Sequence, residues 1–125
     1  MPDFAAIADR LVSAYNNKGF ATFRNLSAPS LDFSHFNRDF AFSELDGLLQ
    51  TLELFAGSLM PDRRFEPPER VTVAGNIVVR EAWWTGTCAV DLPGFGSAGT
   101  RVRFKFCTVF RFDDNGILVE WKDFG

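Results

Sequence analysis

Residues 101–112 read RVRFKFCTVFRF, an unbroken two-residue alternation. Val102, Phe104, Phe106, Thr108, Phe110 and Phe112 fall on one side. Arg101, Arg103, Lys105, Cys107, Val109 and Arg111 fall on the other. A helix would scatter those phenylalanines around its circumference, whereas a strand lines them up on one face. The run therefore demands a long strand, half-buried, with partners on both edges. Asp113-Asp114-Asn115-Gly116 follows as a hairpin turn and returns the chain into ILVEWKDFG. Upstream, RVTVAGNIVVREAWWTGTCAVDL keeps the same period from Arg70 onward and turns at Ala74-Gly75-Asn76.

The first half has a different rhythm. Phe4, Ile7, Ala8, Leu11, Val12 and Tyr15 recur at helical spacing within residues 3–24, with a break at Asn16-Asn17-Lys18-Gly19. Ser27-Ala28-Pro29-Ser30 reads as a loop and residues 31–37 as a short extended piece. Ser43 is the expected N-cap of a helix over 44–59, whose stripe runs Leu45, Leu48, Leu49, Leu52, Phe55, Ala56 and Leu59. Pro61 ends that helix, and Arg63 to Glu66 starts a strand that Pro67-Pro68 interrupts. Helices followed by a run of antiparallel strands make an α+β domain, and 125 residues suffice for one such domain spanning 1–125.

Gly94-Phe95-Gly96-Ser97-Ala98-Gly99 matches G-x-G-x-x-G, a dinucleotide fingerprint. That motif works between a strand and a helix, whose N-terminus receives the pyrophosphate. Here it stands between two strands, so it reads as a hairpin loop and no cofactor is expected. A formal net charge of −3 with no basic patch argues against nucleic acid. The acidic start Met1-Pro2-Asp3 does not resemble a signal peptide, and no apolar run reaches the ~20 residues of a membrane span. The expected location is the cytoplasm, with no membrane partner. Cys88 and Cys107 have no metal-ligand spacing and read as reduced buried thiols.

The second half resembles a SnoaL-like (polyketide cyclase-like) domain of the NTF2-like superfamily. The residues that carry the likeness are Trp84-Thr85-Gly86-Thr87, Pro93-Gly94, Gly99 to Phe104, Phe110-Arg111-Phe112, Gly116-Ile117 and Glu120-Trp121. The resemblance implies a cone-shaped NTF2-like or cystatin-like roll, with N-terminal helices packed on a strongly curved antiparallel sheet around an apolar pocket. It also implies a homodimer packed through the outer sheet face. Relatives include polyketide cyclases, ketosteroid isomerase, limonene-epoxide hydrolase and dehydratases, so fold does not fix the reaction.

Such a pocket suits proton transfer without a cofactor, on a small hydrophobic ligand or substrate. The position of the isomerase's catalytic Asp falls near His35, with Asp32 and Asn37 beside it. His35 is the expected base, and an exposed loop histidine is the plain alternative. The isomerase's oxyanion-hole Asp corresponds to Thr108, a departure that argues against ketosteroid isomerisation. Period two places Trp121 and Asp123 on one face with Ile117 and Val119. If that face is internal, Asp123 is a candidate acid or base and Arg80 its expected partner, with Asp32 or a ligand as alternatives. Consecutive Trp83-Trp84 leaves the parity of this strand open. One parity puts Arg80 and Trp84 inside, the other Glu81 and Trp83. Tyr15 and Phe106 complete the expected lining. The catalytic candidates are thus His35, Asp123 and Asp32. The ligand-contacting candidates are Arg80, Trp84, Trp121, Thr108, Tyr15, Asn37 and Phe106. A non-catalytic binding module, or a homodimeric interaction domain whose cone is filled by Phe side chains, fits the same pattern.

Overall fold

The computed structural model describes residues 2–125. Two helices open the chain, α1 (Phe4–Asn16) and α2 (Phe20–Asn25). Asp3 caps α1, its carboxylate accepting the Ala6 N–H at 3.1 Å. The break falls where the sequence placed it, with Lys18 in the left-handed region at φ 59°. β1 (Ser27–His35) and β2 (Phe40–Phe42) form a hairpin that leads into α3 (Leu45–Leu54), which ends in a π turn over Phe55–Leu59. Ser43 is not the cap of α3. Glu44 takes that position without a side-chain hydrogen bond, and Asp46 supplies the acid of the first turn. Five strands follow the opening hairpin: β3 (Arg64–Phe65), β4 (Arg70–Ala74), β5 (Ile77–Thr87), β6 (Arg101–Phe112) and β7 (Leu118–Phe124).

The seven strands form one curved sheet in the order β2-β1-β7-β6-β5-β3, with β4 also on β5. All pairings are antiparallel except β1 with β7, which is parallel. β5 and β6 pair along eleven residues, from Ile77↔Arg111 to Thr87↔Arg101. β6 keeps the expected parity. Val102, Phe106, Thr108, Phe110 and Phe112 are buried against the helices, and Arg101, Arg103 and Lys105 are exposed.

Two predicted elements shift, each for a local reason. The segment read as a loop at Ser27 to Ser30 is the first half of β1. Pro29 is tolerated there because the β1–β7 register jumps between Ser27 and Asp32, so no ladder N–H is needed from it. On β7 the buried residue upstream of Trp121 is Leu118, not Val119. Phe112 pairs with Leu118 and Arg111 with Glu120, so Val119 is an extra residue, a β-bulge. Both irregularities bend neighbouring strands, and the sheet curls around α1 and α3.

The parity of β5 is settled by burial. Val78, Arg80, Ala82 and Trp84 face inward. Trp83 faces outward, donates to Glu69 Oε1 at 2.7 Å and lies 4.1 Å below the Arg103 guanidinium. Arg103 also pairs with both oxygens of Glu66 at 2.8 and 2.9 Å, and Lys105 with Glu69 at 2.7 Å. Much of the basic series on β6 is thus spent in ion pairs across the outer face. The GFGSAG stretch lies in the β5–β6 connection, with Gly94 and Gly99 at φ 85° where a side chain would be strained. No helix of the described chain is long and apolar enough to cross a membrane. Both cysteines are free. Cys88 is buried, and Cys107, on the outer face of β6, is half-buried rather than internal.

Candidate active site

The cone encloses a cavity of about 60 Å³, walled almost entirely by carbon. Half-buried aromatic side chains from β2, the π turn and the β5–β6 loop form its mouth, and buried Phe33 of β1 lies deeper. Trp84, Phe106 and Trp121 rise from the sheet behind it, and Tyr15 enters from α1. Trp84 and Phe106 stack at 5.6 Å, and Phe33 meets Trp121 edge-on at 4.7 Å. Two ionisable groups reach this surface besides Tyr15, and they are His35 and Asp123.

His35 and Asp123 are register partners across the parallel β1–β7 pair, which sets them side by side on the inner face. Asp123 is 3% exposed. Its Oδ1 accepts both the Thr108 hydroxyl at 2.6 Å and the Trp121 indole N–H at 2.9 Å. Burial raises its pKa to about 6, against the opposing pull of those two donors. His35 is 7% exposed and packs edge-on against Phe106 at 5.0 Å. Neither ring nitrogen has a hydrogen-bond partner among the described residues. Desolvation, reinforced by the nearby Arg38 cation, lowers its pKa to about 4. The imidazole is neutral at pH 7, and the carboxylate is the stronger base of the two.

Tyr15 is buried, and its hydroxyl accepts the Trp84 indole N–H at 2.9 Å. That bond uses an oxygen lone pair and leaves the hydroxyl proton free to donate. Desolvation raises the Tyr15 pKa, while the Arg63 cation over its ring opposes the rise. The site therefore offers a base, a neutral imidazole and a phenolic donor in an apolar chamber. Among the described residues, no three His, Cys, Asp or Glu side chains converge as metal ligands.

The chain matches the SnoaL-like domain over residues 8–121. It belongs to the SnoaL-like family. Solved structures with the same fold include a candidate polyketide cyclase from Xanthomonas campestris pv. campestris, with TM-score 0.82 and 14% identity over 98% of this chain and 89% of that one. A candidate SnoaL-like polyketide cyclase from Jannaschia sp. CCS1 gives 0.79 and 22% over 97% and 83%. An LEH-like epoxide hydrolase of M. tuberculosis gives 0.75 and 20% over 97% and 80%. At such identities the likeness is one of fold. No curated protein matches the sequence.

Within this SnoaL-like cone the sequence candidates separate. His35, Asp123, Tyr15, Trp84, Trp121 and Phe106 line the cavity. Thr108 lies one layer behind, holding Asp123 without lining the chamber. Asp32 does not enter it. Two-residue alternation turns Phe33 and His35 inward and leaves Asp32 exposed beside Glu120. Asn37 is exposed beyond the strand end, where its carbonyl accepts the Gly125 N–H at 2.7 Å. Arg80 faces inward as one parity required, yet it meets neither Asp123 nor Asp32. Its guanidinium pairs with Asp9 of α1 and stays out of the cavity.

Sequence reasoning missed the mouth. Phe40 and Phe42 come from β2, Phe55 from the π turn and Phe95 from the β5–β6 loop. Phe95 is the second residue of the apparent dinucleotide motif, an exposed-looking aromatic in a glycine loop that finds cover over the cone. The Arg38 guanidinium lies 4.2 Å from the Phe104 ring and 4.8 Å from Phe95, pinning that loop. The available signal was the unusual number of phenylalanines, 15, more than the strand faces alone need.

Proposed function

We propose that this SnoaL-like chain is a cofactor-independent acid–base catalyst for a small apolar carbonyl compound or epoxide, with Asp123 as the proton-transferring group. One observation carries the reading. Asp123 is buried, its pKa is raised to about 6, and both of its hydrogen bonds fall on Oδ1. Oδ2 is left for a ligand in the cavity.

In this scheme Asp123 is ionised at neutral pH and takes a proton from a carbon beside the substrate carbonyl. Charge then develops on the carbonyl oxygen, and the free Tyr15 hydroxyl proton is the donor aimed at it. The neutral His35 holds a second polar group of the substrate, giving or accepting one hydrogen bond. Protonated Asp123 returns the proton at the same or another carbon. Thr108 and Trp121 fix the carboxylate's orientation throughout, so the proton moves at Oδ2. A cavity of about 60 Å³ holds a few waters, well below the ~300 Å³ of common ligand pockets. Substrates beyond a few atoms enter by displacing the aromatic mouth. The small volume favours a second reading, a ligand-binding or filled-cone homodimeric domain without turnover.

The test is carbon–hydrogen exchange. A panel of small enolisable ketones is incubated in D2O, and deuterium uptake is followed by NMR. The expected result is catalysed exchange that rises through about pH 6 and falls ~100-fold or more in Asp123→Asn. Exchange equal to background for every ketone, while those ketones still bind, supports the non-catalytic reading. Exchange that survives Asp123→Asn removes Asp123 from the role.

A further inference from the structure

The cavity of the cone carries one negative group and no positive one. Asp123, His35 and Tyr15 line it, and no lysine or arginine does. His35 is neutral at pH 7 and Tyr15 remains a phenol. Asp123 takes part in no ion pair among the described residues. Burial raises its carboxyl, and only the two donors, Thr108 and Trp121, oppose the rise. Arg80, the buried cation of the same sheet face, is held by Asp9. A buried carboxylate without a counter-charge is a costly group. Its Oδ2 carries no hydrogen bond. That oxygen is not sealed in by its neighbours as both ring nitrogens of His35 are, so it opens on the cavity that Asp123 lines.

Most of the remaining wall is aromatic. Neighbouring rings meet at steep angles, Phe33 with Trp121 at 81°, Phe65 with Phe106 at 69° and Phe55 with Phe95 at 61°. They close on the chamber from several directions. Aromatic faces carry the negative part of a quadrupole and attract a cation most strongly where water is excluded. Phe95 already holds one cation at the mouth, the Arg38 guanidinium. A bare metal ion does not suit the chamber, because no three His, Cys, Asp or Glu side chains converge among the described residues. A primary ammonium brings three N–H donors to a single free carboxylate oxygen. A methylated ammonium brings one N–H or none, and its methyl groups pack on the rings. The cavity of about 60 Å³ has room for a few waters, which is about the space such an ion takes.

We propose that the cavity binds a small tertiary or quaternary alkylammonium ion, with its charged centre beside Oδ2 of Asp123 and its alkyl groups against the aromatic walls. The inference rests on the same cavity and the same free oxygen as the catalytic reading, and not on turnover. The bound cation holds Asp123 ionised and takes the place of a ketone.

The test uses the full chain and tetramethylammonium, whose charge does not change with pH. The ¹⁵N-labelled protein is titrated at pH 7 and constant ionic strength with tetramethylammonium chloride, sodium chloride, or tert-butyl alcohol as a neutral probe of similar shape. The expected result is a saturable shift of the Trp121 indole N–H, which shares the Asp123 carboxylate, with tetramethylammonium and none with sodium chloride. Binding of tert-butyl alcohol is about tenfold weaker or more. Affinity for the cation falls about tenfold from pH 7 to pH 5 as Asp123 takes up its proton. The other groups nearby keep their charge in that window. His35 and Tyr15 are neutral, Arg38 and Arg63 behind the rings are cationic, and Cys107 on the outer face is a thiol. Asp123→Asn weakens cation binding about tenfold or more and abolishes its pH dependence. The proposal is overturned by a titration that does not saturate, by equal affinity for tert-butyl alcohol, by the same response to sodium chloride, or by unchanged cation binding in Asp123→Asn. If that variant does not fold, the wild-type pH series decides. Cation binding without ketone exchange removes the catalytic reading alone, and ketone exchange without cation binding removes this inference alone.

Discussion

Replacing Asp123 by Asn removes one of two opposed proton linkages in the cavity. Asp123 has its folded pKa raised from 3.8 to about 6. Protonation favours the folded state, so its contribution is complete below pH 3.8 and disappears as pH rises through 6. At ~1.4 kcal/mol per unit, that loss is about 3 kcal/mol. His35 runs the other way. Its folded pKa is lowered from 6.5 to about 4, so its contribution is present above 6.5 and disappears as pH falls through 4. That swing is also about 3 kcal/mol. Between pH 4 and 6.5 the two nearly cancel, and the wild type hides both. The assay is urea unfolding of wild type and Asp123→Asn from pH 3.5 to 7.5. The stability difference between the two cancels every other titration. It should move by about 3 kcal/mol in favour of the variant as pH rises through 4 to 6. His35→Gln should show the mirror trend. A difference that stays flat with pH means that Asp123 is not held in a dry site, and the acid–base reading loses its footing.

Thr108→Val removes the strongest donor to the Asp123 carboxylate. A charge-assisted hydrogen bond exceeds a neutral one by roughly 1–1.5 kcal/mol, about one pKa unit. The Asp123 titration should therefore rise toward neutrality, followed through the Trp121 indole N–H resonance that shares the same oxygen. Asp9→Asn leaves the Arg80 guanidinium, 5% exposed, without its charge partner. Asp9 itself is largely exposed, so the expected loss is about 1–3 kcal/mol rather than the full cost of orphaning a buried pair. Urea unfolding measures it, and Arg80→Met should cost less than Asp9→Asn.

Much of the sheet was written in the sequence because period two is a local signal. The β6 alternation fixed which phenylalanines face in, and the turn at Asp113 to Gly116 fixed its partner. The β5 parity was not legible, since Trp83 and Trp84 are equally apolar and only packing against α1 separates them. The β7 register was legible at Trp121 and Asp123 but not at Leu118, because a bulge is a single extra residue with no composition of its own. Pro29 argued for a loop, and only the jump in register against β7 makes it acceptable in a strand. For the site, His35 and Asp123 could be named but not joined. Their adjacency comes from a parallel pairing of the first and last strands, separated by most of the chain. Arg80 was assigned a carboxylate on the sheet, whereas the helix that crosses the cone supplied Asp9. The mouth depends on side chains from β2, the π turn and the β5–β6 loop, and no one periodicity links them.

The β5–β6 connection is fastened at its base. The Cys88 N–H bonds to the Thr100 carbonyl at 2.9 Å and the Gly99 N–H to the Cys88 carbonyl at 2.7 Å. The segment between contributes Phe95 to the entrance, where Arg38 also holds it, while Asp123 and His35 belong to β7 and β1. On the proposed reading, the loop's share of the entrance and the proton-transfer groups are therefore carried by different pieces of chain. Under that proposal, a loop of another length, grafted between the same two ends, would change which molecules enter and leave Asp123 and His35 as they are.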